Sequence, residues 1–406
     1  MKTFTFHTIA GLLAIGMAFG VRSAQAQAGS LDTTFGTGGI VTSFIGNNSP
    51  LNAVEQSNGD IAAVTGLTDG VNMESFALVR YTSRGTQIGI TTASFFSGGI
   101  SSPSAVAVQP NGDIVVVGTA QASINAPQVF AVARFTPNGK LDATFGNGGL
   151  VTTAPKGPFP AASAVIAQPN GQILVGGFVD GINRQTSGQT VLVRYNSDGS
   201  LDTTFGTGGI AEAQMAAGQP SALAELSNGS YLAVGAGVAE FSSTGVLQST
   251  VTPGKLVAGT QSGSGCCAPV LFQPNGDYLE AEAVHTGCVN CRTSDAEVLR
   301  FSETGVADGK SPEFTFGGND ENQPQAIALQ ANGQVVVGGI TNAHGTPVTG
   351  GLGRLDSNGE LDTTFANGGS LMSDQIVSGL LVQKDGKIVA IGGIDGNLVL
   401  ERYLAN

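Results

Sequence analysis

Four cysteines and a histidine crowd into one stretch of this 406-residue chain: Cys266, Cys267, His285, Cys288 and Cys291. Four thiols and an imidazole are donors enough for a tetrahedral zinc site. Zinc ribbons, however, pair two C-x-x-C knuckles, and here one pair is Cys-Cys. In an oxidising compartment the same thiols would close local disulfides. Counted outward from the Asn275-Gly276 pair, Cys266 and Cys267 fall nearly opposite His285, within reach of Cys288 or Cys291. Two disulfides are the default expectation; zinc and thiol redox chemistry are the alternatives, and the connectivity is open.

Elsewhere the cast for catalysis is thin. His285 and His344 are the only histidines beyond the first ten residues. There is no G-x-S-x-G, no H-E-x-x-H and no phosphate-cradling loop with a lysine. No D-x-[DN]-x-[DN]-G loop with a distal glutamate appears, and the chain has no tryptophan to stack on a sugar. No cofactor is expected, calcium and zinc being the ions to look for.

A copied ionic pattern is easier to read. Arg134, Arg194 and Arg354 each end an apolar stretch and are followed by Asp142, Asp202 and Asp362; Arg402, near the C-terminus, would take Asp32 from the other end of the chain. Active sites are not copied along a repeat array, so these pairs are expected to be structural.

The elements that would position such groups follow from turns. Asn58-Gly59, Asn111-Gly112, Asn170-Gly171, Asn228-Gly229, Asn275-Gly276, Asn332-Gly333 and Asp385-Gly386 recur 47 to 59 residues apart. Asn-Gly between apolar runs signals a hairpin, with a type I′ turn expected. An alternating strand precedes each turn, as in Ala105-Val106-Ala107-Val108. A continuous apolar strand follows, as in Ile114-Val115-Val116-Val117, which implies burial on both faces. A third strand ends in Arg-aromatic, and a fourth element reads LDTTFGTGGI at Leu31–Ile40 and Leu201–Ile210.

These motifs, with the QKDGKIV segment at 383–389, resemble the delta-60 repeat family of bacterial exported proteins over Leu31 to the C-terminus. The resemblance implies a propeller and little about activity. The repeats themselves predict an all-β chain: a seven-bladed β-propeller of four-stranded antiparallel blades, its ring closed when the N-terminal strand joins the last blade.

Lys2, an apolar run from Thr8 to Val21 and small residues through Ala28, with cleavage after Ala26 or Ala28, read as a secretory signal peptide. Residues 1–28 are therefore assigned to the signal and 29–406 to one propeller domain, exported to the periplasm or medium and monomeric. A net charge of −13 argues against nucleic acid, and the short apolar run against membrane insertion.

Loops between second and third strands vary most in length, and variable loops on one rim tend to carry function. Asp180, Asn183, Arg184, His285, Arg292, Asp295, Asp320 and His344 are the candidate binding rim. The leading expectation is a non-enzymatic module binding a protein, glycan or small ligand through that rim. The alternatives are a metal-assisted hydrolase or lyase with its site in the central channel, and a passive surface or matrix component.

Overall fold

The computed structural model describes residues 27–46, 48–68, 74–180, 188–214, 220–235, 237–251, 268–285, 293–317, 321–342 and 348–405. Among them every repeat turn closes alike. In the second repeat the amide of Gln109 donates to the carbonyl of Asp113 and that of Gly112 to the carbonyl of Gln109, each at 2.8 Å. Gly112 has φ +88°, but Asn111 is not among the residues of positive φ. The turn is thus a type I turn followed by a left-handed glycine, not the type I′ turn read from the sequence. The asparagine is selected for another reason: its Oδ1 accepts the amide of Asp113 at 3.1 Å. The same bond recurs at Asn58, Asn170, Asn228, Asn275, Asn332 and Asp385.

The strand after each turn is buried on both faces, as at Ile61–Thr68, Ile114–Gln121 and Ile173–Val179. Such a strand must lie inside its sheet and between two neighbouring sheets. In the second repeat Ile100–Val108, Ile114–Gln121, Val129–Phe135 and Leu150–Thr153 pair in sequence, each antiparallel to the last. Among the described residues five sheets are four-stranded, and four of them are built in this way. A larger sheet carries the fifth and sixth repeats, joined by one parallel bridge between Ser294 and Glu321. Ile40–Ser43 is the outer strand of the last repeat, with Ile40 opposite Glu401 in Asn397–Tyr403.

Side chains fill the spaces between sheets. Val115, Val132 and Phe145 of the second repeat pack on Val175, Val193 and Tyr195 of the third. Val389 and Leu398 of the last repeat pack on Ala63 and Val79 of the first.

Six first strands skip one residue of register, between Pro50 and Asn52, Pro103 and Ala105, Ala162 and Ala164, Pro220 and Ala222, Pro324 and Ala326, and Val377 and Gly379. The bulge presses its backbone onto the fifth residue of the second strand. A Cβ on Gly118, Gly177, Gly339 or Gly392 would collide with the carbonyl oxygen of Ser102, Ala161, Gln323 or Ile376. Glycine permits the close approach at these four positions, while the first repeat carries Thr65 at the same place. No described helix is long and apolar enough to cross a membrane.

Candidate functional site

The copied arginines form a clasp with four parts. Arg194 Nε donates to Asp202 Oδ2 at 2.8 Å, while Asp202 Oδ1 accepts the amide and hydroxyl of Thr204 at 3.0 and 2.6 Å. The guanidinium lies 4.5 Å over the ring of Phe205, and its NH1 donates at 2.7 Å to the carbonyl of Ser243 in the next repeat. Arg134, Arg354 and Arg402 do the same with Asp142 and Phe145, Asp362 and Phe365, and Asp32 and Phe35, reaching the carbonyls of Ser197, Ala405 and Ser83. Burial alone would raise the Asp202 pKa, but the hydroxyl and amide of Thr204, then Arg194, outweigh it and bring it down to about 2. The Arg–Asp pairs were legible in the sequence; the threonine, the phenylalanine and the reach into the next repeat were not.

The fourth repeat has Glu240 at the arginine position, where it accepts the Ser230 hydroxyl at 3.0 Å. The consequence falls on its neighbour. Tyr231, after the third repeat, receives Gln168 Nε2 and Arg194 NH1 on its hydroxyl. Tyr278, after the fourth, is buried with its hydroxyl unpaired among the described residues.

A cavity of about 370 Å³ is walled by first strands, through Asn52, Ser104, Ser163, Ser221, Val270, Gln325 and Ser378 among others. Ser104, Ser163, Ser221, Gln325 and Ser378 are residues skipped by the register bulges. Among the described residues the wall offers hydroxyls and amides and no carboxylate. Ser-Ala or Gln-Ala following the start of a first strand was the signal that could have found it.

Beside that cavity the fifth repeat breaks the pattern. Its second strand, Tyr278–His285, reads YLEAEAVH where the second repeat reads IVVVGTAQ. Glu280 takes the place of Val116 and Glu282 that of Gly118, and on the third strand Glu297 takes the place of Ala131. Glu282 stands directly opposite Glu297 and Glu280 opposite Val270, so the three carboxylates share one face. Glu297 is 1% exposed and its Oε2 accepts Lys310 Nζ at 3.0 Å. Burial, then the neighbouring charge of Glu282, pushes the Glu280 pKa up to about 7. Opposite this face the fourth repeat supplies Leu232, Val234 and Val238, and its hairpin turns over between Gly235 and Val238. Among the described residues no group of three or more His, Cys, Asp and Glu side chains comes together as a metal site.

A family described as a domain of unknown function (DUF5122) beta-propeller matches residues 109–145, 168–205 and 330–365. No curated protein matches the chain. Among solved structures it is similar to the α-L-arabinofuranosidase Arb93A from Fusarium graminearum, with 12% identity over 91% of this chain and 98% of that one, TM-score 0.45. It is similar to the α-L-arabinanase from Penicillium chrysogenum, with 12% identity over 90% and 98%, TM-score 0.42. It is also similar to Raptor from Chaetomium thermophilum, with 12% identity over 90% and 30%, TM-score 0.49. The chain is all-β, built of four-stranded antiparallel blades, with propellers as its neighbours.

The expectation of a non-enzymatic binding module is corrected: nothing among these neighbours supports it, and two of them are named as an α-L-arabinofuranosidase and an α-L-arabinanase. It rested on the scarcity of histidine and of nucleophile motifs. Hydrolysis by paired carboxylates needs neither.

Of the candidate rim only Asp180 and Asp295 are fully described. Asp180 follows Ile173–Val179, its amide donating to the carbonyl of Pro158 at 2.9 Å. Asp295 is half-buried on the third strand of the fifth repeat, and its pKa is raised by burial and then by Glu313. His285 ends its strand, and its side chain lies outside the described residues, as do Asn183, Arg184, Arg292, Asp320 and His344. Cys266, Cys267, Cys288 and Cys291 also lie outside them.

Proposed function

We propose that the chain is an exported hydrolase of glycosidic bonds, with Glu280 donating and Glu282 accepting the proton, at the edge of the cavity walled by first strands. We read its sheets as seven blades of the delta-60 type, closed into a ring by Ile40–Ser43. The observation that carries the reading is the set Glu280, Glu282 and Glu297, three carboxylates at three interior positions where the second repeat has Val116, Gly118 and Ala131. Burying carboxyl groups in place of apolar ones costs stability, and in a repeat protein the other repeats show the less costly choice.

A carboxyl group titrating near neutrality is protonated often enough to act as an acid, and an ionised neighbour is its natural complement. Glu280 would protonate the leaving oxygen as the glycosidic C–O bond breaks. Glu282 would take a proton from the water whose oxygen bonds to the anomeric carbon. The separation of the two carboxyl groups would set the stereochemistry, roughly 5–5.5 Å giving retention and roughly 6.5–9.5 Å leaving room for that water and giving inversion. Lys310 neutralises Glu297, and the serine and amide wall suits a hydroxyl-rich, uncharged substrate.

The test is hydrolysis of aryl glycosides and polysaccharides. Glu280→Gln and Glu282→Gln should each lower kcat/KM about 10²- to 10⁴-fold. The wild-type rate should fall as pH rises through about 7, where Glu280 loses its proton. No hydrolysis across the panel, or a fully active Glu280→Gln protein, would sink the assignment.

For an exported chain the packing beside the signal bears on where it is cut. Ala28 is 8% exposed within a core cluster, and its carbonyl accepts the amide of Ala366 at 2.8 Å. The side chain of Gln27 donates to the carbonyl of Ala366. Cleavage after Ala28 would remove both anchors, and cleavage after Ala26 would spare them. Intact mass and N-terminal sequencing of the secreted protein should give Gln27 as the first residue; a chain beginning at Gly29 would refute this.

A further inference from the structure

A second cavity, also about 370 Å³, opens between the fifth and sixth repeats on the face of the fifth repeat turned away from Glu280. Its origin can be read residue by residue. In the clasp, the phenylalanine stands three residues after the aspartate, as Phe145 stands after Asp142. In the fifth repeat Asp308 keeps its place eight residues after Arg300, but the third residue beyond it is Ser311.

Phe314 and Phe316 join the same core cluster, but they lie against Gly353 and Gly351 and do not line the cavity, so the socket for the ring persists. Leu279, Val298, Val335 and Leu355 line the cavity at the positions of Val115, Val132, Ile173 and Tyr195, which pack around Phe145. The turn glycine of the next repeat agrees. A Cβ on Gly199 would meet the Phe145 ring at 3.0 Å and one on Gly245 the Phe205 ring at 2.9 Å, whereas one on Gly359 would meet nothing within 4 Å. Arg300 donates its Nε to Asp308 at 2.8 Å, and its side chain is 52% exposed. A guanidinium has further donors at fixed angles for a planar acid. Lys310 also borders the cavity, but its ammonium is paired with Glu297 across the sheet, so Arg300 is the cation that faces the ligand. The wall's own carboxylate, Asp356, is turned to the amides of Asn358 and Glu360.

We propose that this socket binds an aryl carboxylate, its ring between Val298 and Val335 where a clasp phenylalanine would lie, and its carboxylate on Arg300. The proposal is independent of the hydrolase reading, since it uses the other face of the blade.

Titration of the purified protein with 3-phenylpropionate, followed by ligand-observed NMR and calorimetry, tests it. Saturable binding is expected, at least tenfold weaker for the neutral 3-phenylpropanamide and for Arg300→Gln. Ser311→Phe should abolish it while raising the melting temperature, because the chain then refills its own socket. Should Ser311→Phe fail to fold, Ser357→Phe closes the mouth from an exposed turn and should also abolish binding. No saturation by about 20 mM, a dissociation free energy near 2 kcal/mol, overturns the proposal. So does equal affinity for the acid and the amide, or undiminished binding in both filling variants.

Discussion

The triple variant Glu280→Val, Glu282→Gly, Glu297→Ala should melt well above the wild type at pH 8 and hydrolyse nothing. Each substitution restores what the second repeat carries at the same interior position. The largest single gain comes from Glu280. Its native pKa of about 7 lies above the unfolded reference of 4.5, so folding favours the protonated form. Below pH 4.5 both states are protonated and the group costs nothing through ionisation. As pH rises from 4.5 through 7 the unfolded chain ionises first and that stability is lost. A tenfold difference in proton affinity between the two states is worth about 1.4 kcal/mol, and allowing for partial exposure the loss at pH 8 is about 2 kcal/mol. Glu280→Val should recover it. The gain should shrink as pH falls towards 4.5, a signature that added apolar packing alone would lack. Glu297→Ala leaves Lys310 without its partner, but that side chain is 43% exposed and water replaces the carboxylate. Thermal melts from pH 4 to pH 9, with glycoside hydrolysis on the same preparations, measure both halves. A variant no more stable than the wild type at pH 8 would mean that the carboxylates are well solvated, and the acid assigned to Glu280 would go with it.

How much of the molecule was legible in the sequence depended on how local each interaction is. The turns could be placed because a left-handed glycine and an asparagine side chain two residues from its acceptor are matters of adjacent residues. The turn type was misread for the same reason: Asn-Gly fits two hairpin geometries, and only backbone angles separate them. Arg194 and Asp202 could be paired because they are copied at one spacing. Phe205 sits in the same copied motif, yet its place under the guanidinium depends on the return of the fourth strand, and the carbonyl of Ser243 on the docking of the next sheet. Glu280 and Glu282 were passed over because alternating glutamate and alanine reads as an ordinary half-exposed strand. Only registration against Ile114–Gln121 shows that both carboxylates occupy interior positions. Cysteine and histidine stand out by residue type and so drew the candidate chemistry, but their side chains fall outside the described residues.

Arg354→Ala should be among the most destabilising single substitutions in the chain, costing about 3–5 kcal/mol. The side chain is 1% exposed, and one guanidinium serves four neighbours: it is 2.8 Å from Asp362, 4.6 Å over Phe365, and bonded to Gln330 and to the carbonyl of Ala405 in the next repeat. Removing it strands Asp362, a buried carboxylate held partly by the hydroxyl and amide of Thr364. The pH dependence distinguishes this from a simple cavity. The Asp362 pKa lies below 3.8; burial opposes that, but Thr364 and then Arg354 outweigh it. A carboxylate depressed in the native state contributes stability that is present above the unfolded pKa and lost as pH falls through the native one. The wild type should therefore lose stability below pH 3.8 faster than Arg354→Ala, and the two melting curves should converge in acid. Arg354→Met keeps the stem over Phe365 and removes only the charge and donors, so the difference between the two variants separates packing from pairing. If Arg354→Met melts with the wild type at pH 7, the clasp is held by its ring contact, and Asp362 needs no cation beyond the hydrogen bonds of Thr364.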